Sequence, residues 1–277
     1  LVFVVNIKQV KIMSNLLVIP ARYDSSRFPG KPLAFFEDSN GKKISLIEKT
    51  WQLALKLDSF DKKIIATDDI RIKNFCEGFG AEVCMTSHDL RNGSERVAET
   101  LNLQDENYKI IVNLQGDAPL TPIWVIEGLL KQLEKSNYQV ATPVLKCDQL
   151  TLNKLISDKK AGIIGATTVV FDKNQKALYF SKELIPHINQ NNLEKNIGIV
   201  YHHIGVYAYK SEALKAYIKF PQGILEKQEG LEQLRFVEND ISIKCVISTL
   251  RGNEFWELNN PSDIPIIEKI LKKNDQI

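Results

Sequence analysis

Within the stretch IPARYDSSRFPGKP, residues 19–32, Arg22, Arg27 and Lys31 stand close together, with Ser25 and Ser26 between the arginines and Pro29-Gly30 just before the lysine. Two forked guanidinium groups and a compact ammonium are the donors that phosphate oxygens take best. The hydroxyls add neutral donors, and Gly30 lets the main chain come close to a ligand. Lys31 is followed by Pro32, so the GxxxxGK[ST] spacing of a Walker-type loop is absent. Composition alone leaves two readings open, an anion-gripping loop and a solvated basic loop. Position bears on the choice as much as composition: the loop leaves an apolar run, Leu16–Ile19, and ligands gather at the carboxyl ends of strands in open sheets.

NLQGDAPL, residues 113–120, places Asp117 after a Gln115-Gly116 turn that ends another apolar run. An aspartate after glycine is commonly a turn former. Opposite a phosphate loop on the same sheet edge, it is instead placed to hold Mg²⁺ against phosphate oxygens. RNGSERVAET, residues 91–100, offers Ser94 as a helix cap and puts Arg96 in the first turn. A cation there opposes the helix dipole, so an anion facing Arg96 explains it better than helix stability, with surface placement as the alternative. In YHHIGVYAY, residues 201–209, alternation sets His203, Gly205, Tyr207 and Tyr209 on one face and His202, Ile204, Val206 and Ala208 on the other. In EKQEGLEQLRF, residues 226–236, Glu229, Glu232 and Gln233 are three and four apart and share a helix face. By themselves the last two segments read as a half-buried strand and a solvated helix.

The elements that must hold these residues alternate. Leu16–Ile19, Lys63–Ala66, Glu82–Met85 and Ile110–Leu114 read as strands, and Ser45–Leu57, Ile70–Phe79 and Ser94–Asn102 between them as helices. That order predicts parallel strands with crossover helices: an α/β fold with a Rossmann-like open mixed sheet, mostly parallel, helices on both faces and a smaller appended subregion. The basic loop and QGDAP then share one functional edge. Past a predicted helix Pro122–Lys135 the pattern is less regular. Strands are predicted at Gln139–Leu145, Thr167–Phe171, His203–Tyr209 and Ile241–Ile247, and helices at Ser211–Phe220, Gln228–Glu238 and Pro261–Lys272. The Asn-rich Lys182–Ile199 reads as a loop or insertion. Residues 1–13, which lack an initial Met, read as a non-native or disordered extension and residues 14–277 as a single domain.

With 277 residues, 44% hydrophobic and 25% charged, the chain can bury a sizeable core. A net charge of +2 gives no reason to expect nucleic acid, so any positive field is local. No apolar run approaches the roughly 18 residues of a membrane helix. Cys76, Cys84, Cys147 and Cys245 are scattered without a CxxC pair, which speaks against a zinc site or disulfide framework and fits a reducing compartment.

Taken in order, IPARYDSSRFPGKPLA, ATDD, GAEVCMTSHDLRNGSER, VNLQGDAPL, ALYFSK, HHIGVYAY and GLEQLRF resemble the 3-deoxy-manno-octulosonate (Kdo) cytidylyltransferases, from about Leu16 to Leu271. The resemblance implies attack of the anomeric hydroxyl of a 3-deoxy ulosonic acid on the α-phosphorus of CTP, giving CMP-sugar and pyrophosphate with Mg²⁺. It assigns Ala21, Arg22, Ser25, Ser26, Arg27, Lys31 and Gln115 to the nucleotide and triphosphate, with Arg22, Lys31 and Asp117 catalytic. It assigns Arg96, Gln115, His203, Tyr207, Glu232 and Gln233 to the acidic sugar, and Asp117 and Asn259 to the metal. It further implies a cytoplasmic homodimer feeding lipopolysaccharide or capsule assembly. In rank below this stand activation of a nine-carbon sialic-type acid and a non-catalytic nucleotide-sugar-binding homologue. Three departures from the family's pattern bear on substrate and metal. Asn259 stands where an Asp is usual, Thr168 where a Lys is usual, and Lys182 where an Arg is usual. An amide oxygen still ligates Mg²⁺ but brings no charge, so either metal affinity falls or Glu257 or Asp263 compensates.

Overall fold

The computed structural model describes residues 12–25, 27–162, 166–189 and 197–274. Strand β1 (Ile12–Pro20) lies between β4 (Lys62–Thr67) and β6 (Asn107–Leu114), parallel to both, and β5 (Val83–Met85) extends β4. Leu17 and Ile19 point to one side of this sheet and Leu16 and Val18 to the other, and all four are buried. Two covered faces explain why β1 reads as a continuous apolar run rather than an alternating one. Helices α1 (Leu46–Leu55), α2 (Ile70–Glu77) and α4 (Ile123–Glu134) close the Leu17 side through Trp51, Ile72 and Ile126. Helix α3 (Gly93–Asn102) closes the other through Val97.

Local chemistry sets where these helices begin. Ser45 caps α1 by accepting from Glu48 N–H, and Asp69 caps α2. For α3 the cap is Asn92, which accepts from Glu95 N–H at 2.9 Å, rather than the Ser94 of the sequence reading. A hairpin of β2 (Phe35–Glu37) and β3 (Lys43–Ser45), not anticipated from the pattern, precedes α1. Strand β1 also starts earlier than expected: Ile12 and Met13, read as part of the extension, pair with Asn107 and Tyr108 of β6.

The second half makes the sheet mixed. Its strands are β7 (Val140–Lys146), β8 (Thr167–Phe171), β9 (Ala177–Ser181), β10 (Tyr201–His203), β11 (Val206–Lys210) and β12 (Ile243–Ser248). The order across the sheet is β5-β4-β1-β6-β11-β7-β10-β8-β9, with β12 parallel to β7. The single strand predicted over His203–Tyr209 is therefore two. The chain breaks at Ile204-Gly205, so that β11 pairs with β6 and β7 while β10 pairs with β7 and β8. Thr142 of β7 braces the break, its hydroxyl lying 2.8 Å from Val206 O, 3.3 Å from Ile204 O and 2.8 Å from His203 Nε2.

Helix α5 (Gln149–Lys160), where no element was predicted, buries only Leu152, which leaves little apolar periodicity to detect. The helix predicted over Gln228–Glu238 is likewise two, α7 (Ile224–Glu229) and α8 (Leu234–Glu238), parted at Gly230 in the left-handed conformation. Helix α6 (Ser211–Tyr217) precedes them, and α9 (Ile264–Asn274) follows a short turn at Pro261–Asp263. The described parts of Lys182–Ile199 carry neither helix nor strand, as expected of a loop.

Candidate active site

Both strand-end loops open into one cleft of about 550 Å³. Its first wall is the basic loop. Ala21 N–H donates to Ala66 O at 2.8 Å, fixing the loop's start to β4, and Arg22, Ser25, Arg27 and Lys31 line the cavity. Ser26 lies outside the described residues. Ser25 Oγ accepts from Phe28 N–H at 3.4 Å, and Gly30 takes φ 71°, a left-handed turn that presents Lys31. Lys31 Nζ then reaches Asp117 Oδ2 at 2.6 Å. The two loops meet closely behind this pair, where a Cβ on Gly116 would stand 2.9 Å from Pro20 O.

The C-terminal segment hangs on the same point, because Leu258 N–H donates to Asp117 O at 3.0 Å. This brings Glu257 into the cleft, and burial together with the Asp117 carboxylate pushes the Glu257 carboxyl up to about 7. Asn259 sits at the rim, where its Oδ1 accepts from Arg27 Nη2 at 3.5 Å and its side chain also bonds Glu257. Among the described residues no group of three or more His, Cys, Asp and Glu side chains is gathered for a metal. At the basic-loop end of the cleft stand two carboxylates, Asp117 and Glu257, beside Arg22, Arg27 and Lys31. Mg²⁺ bound by one or two carboxylates plus substrate phosphates suits such a donor set.

The opposite wall is built from α3 and the α7–α8 region. Glu232 is half-buried, with Oε2 accepting from Ser94 N–H at 3.1 Å and Oε1 from Gln115 Nε2 at 3.4 Å. Burial raises its carboxyl above the ordinary range, while the Ser94 and Gly93 N–H groups at the helix start oppose that shift. Gln233 Oε1 accepts from Tyr207 Oη at 3.0 Å, and its Nε2 is buried with no partner among the described residues. Gln115, Tyr207, Glu232 and Gln233, which the resemblance assigned to the sugar, thus line one cleft. Glu229 does not join them: the break at Gly230 turns it toward β9, where it accepts from Ser181 Oγ at 2.7 Å and Lys182 N–H at 2.9 Å.

Arg96 lines the cleft, and the anion it faces belongs to the protein. Its Nη2 is 3.3 Å from Asp68 Oδ2 and its Nη1 bonds Thr86 Oγ1. His203 is buried against Phe180 and Tyr207, with ring centroids at 5.2 and 5.4 Å, and burial holds its imidazole neutral, down to about 3. Thr168 points away from the cavity, donating to Glu183 O at 2.6 Å, while its neighbour Thr167 lines it. Lys182 is at the rim, since a Cβ on Gly230 would lie 2.9 Å from its Nζ.

Sequence reasoning missed the frame behind this wall. Arg235 is fully buried, donates to Glu226 from Nε (2.7 Å) and Nη2 (2.6 Å), lies 2.9 Å from Glu95 and covers the Tyr217 ring at 4.1 Å. Tyr217 Oη donates to Glu232 O at 3.1 Å and accepts from Asn92 Nδ2 at 3.0 Å. One guanidinium therefore ties the start of α3 to the Glu232–Gln233 segment. Nothing in the residue types around Glu226 marks it as a partner nine positions from Arg235.

The cytidylyltransferase family model matches residues 16–243. The 3-deoxy-manno-octulosonate cytidylyltransferase of Maricaulis maris is 38% identical over 96% of this chain and 100% of its own length. The chain belongs to this family of enzymes. An 8-amino-3,8-dideoxy-manno-octulosonate cytidylyltransferase from Shewanella pealeana is 39% identical over 94% of this chain and 99% of its own. A solved CMP:2-keto-3-deoxy-manno-octonic acid synthetase complexed with CTP is 29% identical, with a TM-score of 0.78 over 94% of this chain and 99% of that one. Fold and family thus agree with the resemblance read from the motifs. No helix among the described residues is long and apolar enough to cross a membrane.

Proposed function

We propose that this enzyme activates a 3-deoxy ulosonic acid, Kdo or a close analogue, with CTP. The anomeric hydroxyl attacks the α-phosphorus, one phosphorus–oxygen bond forms, and the bond to the departing pyrophosphate breaks. The observation that carries the reading is the convergence of Arg22, Arg27, Lys31 and Asp117 with Gln115, Tyr207, Glu232 and Gln233 on a single cleft.

In this reading the basic loop grips the triphosphate, and Arg22 and Lys31 stabilise the charge that builds on the leaving pyrophosphate. Glu232 accepts sugar hydroxyl hydrogens and Gln233 Nε2 donates to a sugar oxygen. Arg96 and His203 support the same wall, His203 as a neutral, packed ring. Asp117 and Glu257 would hold Mg²⁺, with the Asn259 amide oxygen nearby, and Lys31 occupies the carboxylate until nucleotide arrives. When bound, the ion would lower the pKa of the attacking hydroxyl and neutralise phosphate charge. A cytoplasmic homodimer supplying lipopolysaccharide or capsule assembly belongs to the same proposal.

The test is pyrophosphate release with Mg²⁺ and CTP across Kdo, 8-amino-Kdo and N-acetylneuraminate, with UTP and ATP as controls. Release with one octulosonate and CTP alone is expected. Release only with N-acetylneuraminate would move the assignment to the nine-carbon acids, and CTP binding without release from any acid would favour a binding protein.

A further inference from the structure

Arg71 lies in the first turn of α2 and does not line the cavity. Its guanidinium is held by the cap residue Asp69, with Nε at 3.0 Å from Oδ1 and Nη2 at 2.6 Å from Oδ2. So held, its Cζ rests 3.3 Å from the centroid of the Tyr23 ring. Tyr23 lies in the basic loop between Arg22 and the serines, with part of its side chain packed on the core. Its carbonyl accepts from Gly30 N–H at 2.9 Å. The ring also covers Gly30 so closely that a Cβ there would stand 3.1 Å from Cζ and 3.2 Å from Oη. Gly30 in turn sets the direction of Lys31, which ends on Asp117.

These contacts form one chain: Asp69 orients Arg71, Arg71 covers Tyr23, Tyr23 fixes Gly30, and Gly30 aims Lys31. Although its side chain stays 56% exposed, this surface arginine places its guanidinium on a neighbouring carboxylate and an aromatic face. Arg22, Ser25 and Arg27 share the loop that Tyr23 anchors.

We propose that Arg71 is a positioning residue for the triphosphate loop, acting through stacking on Tyr23. The inference rests on the assignment of this loop to CTP. Its role is to keep the loop's cations in their binding arrangement before nucleotide arrives, which lowers the ordering cost of binding.

The test is a double-mutant cycle on CTP affinity, measured by calorimetry without sugar, using Arg71→Ala, Tyr23→Leu and the pair. Tyr23→Leu keeps an apolar anchor and removes the ring. Arg71→Ala is expected to weaken CTP binding by about two- to five-fold, the range of an exposed cation–π contact. The pair should be no weaker than Tyr23→Leu alone, and Arg71→Lys should recover part of the loss. The Michaelis constant for the sugar and the melting temperature should stay near wild type, which a purely structural role would not allow. Additive losses, or wild-type CTP affinity in Arg71→Ala, would overturn the proposal. Failure of the wild-type protein to bind CTP would instead overturn the nucleotide assignment on which it rests.

Discussion

Lys31 Nζ and Asp117 Oδ2 stand 2.6 Å apart, and each comes from the carboxyl end of a different parallel strand. Because β1 and β6 are neighbours, their end loops have no choice but to meet. The pair is partly open to solvent, so its own contribution to stability is small. In the proposed function its value is in what it can exchange: the carboxylate for a divalent ion, the ammonium for a phosphate. Asp117→Asn keeps shape and loses charge. Turnover should fall at least about a hundredfold, since metal-based charge stabilisation is worth several kcal/mol, with an unchanged circular dichroism spectrum. Normal turnover at saturating Mg²⁺ would remove Asp117 from the metal site.

Lys31→Met should affect CTP more than sugar. Loss of one charged hydrogen bond of about 1.5–3 kcal/mol corresponds to roughly a ten- to hundredfold rise in the CTP Michaelis constant or fall in turnover. Steady-state kinetics with each substrate varied in turn separates the two, and an unaltered CTP dependence contradicts the loop's role.

Arg235→Met takes the ion-pair partner from buried Glu226 and leaves buried Glu95 with Arg91 alone. Breaking such a buried pair costs about 3–5 kcal/mol, which thermal denaturation should register as a drop of about ten degrees. The surviving folded enzyme should show a raised sugar Michaelis constant, because the Asn92–Ser94 turn and Glu232 lose their common brace. Adding Glu226→Gln should recover part of the stability. A melting temperature equal to wild type would mean that the guanidinium is not the brace.

His203 sets a pH dependence with a definite sign. Its folded value of about 3 lies below the unfolded value near 6.5, so between these limits the unfolded chain holds a proton that the native chain lacks. Stability is complete above pH 6.5 and falls as pH drops below it. His202, held down to about 4 by burial, acts in the same direction. Glu257, raised to about 7, acts in the opposite one and favours the native chain as pH falls from 7. Urea titrations at pH 7, 6 and 5 should show His203→Gln losing less stability than wild type, by up to about 1.4 kcal/mol per pH unit. Parallel curves would show that the native ring is not excluded from protonation.

Much of this architecture was legible because it is carried by local signals. The run Leu16–Ile19 and the Asp117 turn mark strand ends by themselves, and strand-end placement then brings the basic loop and Asp117 together. What was not legible depends on partners distant in the chain. Alternation through His203 to Tyr209 looks unbroken, and only the competing demands of β6 and β8 split it at Gly205. Glu229 and Glu232 look alike in sequence, yet Gly230 sends one to β9 and the other to the cleft. An anion was expected beside Arg96, a sugar carboxylate by the resemblance; the one it meets is Asp68, which could be named only once β4 and α3 were side by side.

The break at Gly205 also has a consequence for divergence. The basic loop belongs to the parallel half of the sheet, whereas Glu232, Gln233 and their Arg235 brace grow from segments after the interruption. In the proposed function, changes at Glu232, Gln233 and Arg235 reshape the acid-facing wall without passing through the residues assigned to phosphate. On that proposal a lineage can exchange one acid for another by small, local steps while its nucleotide chemistry stays constant.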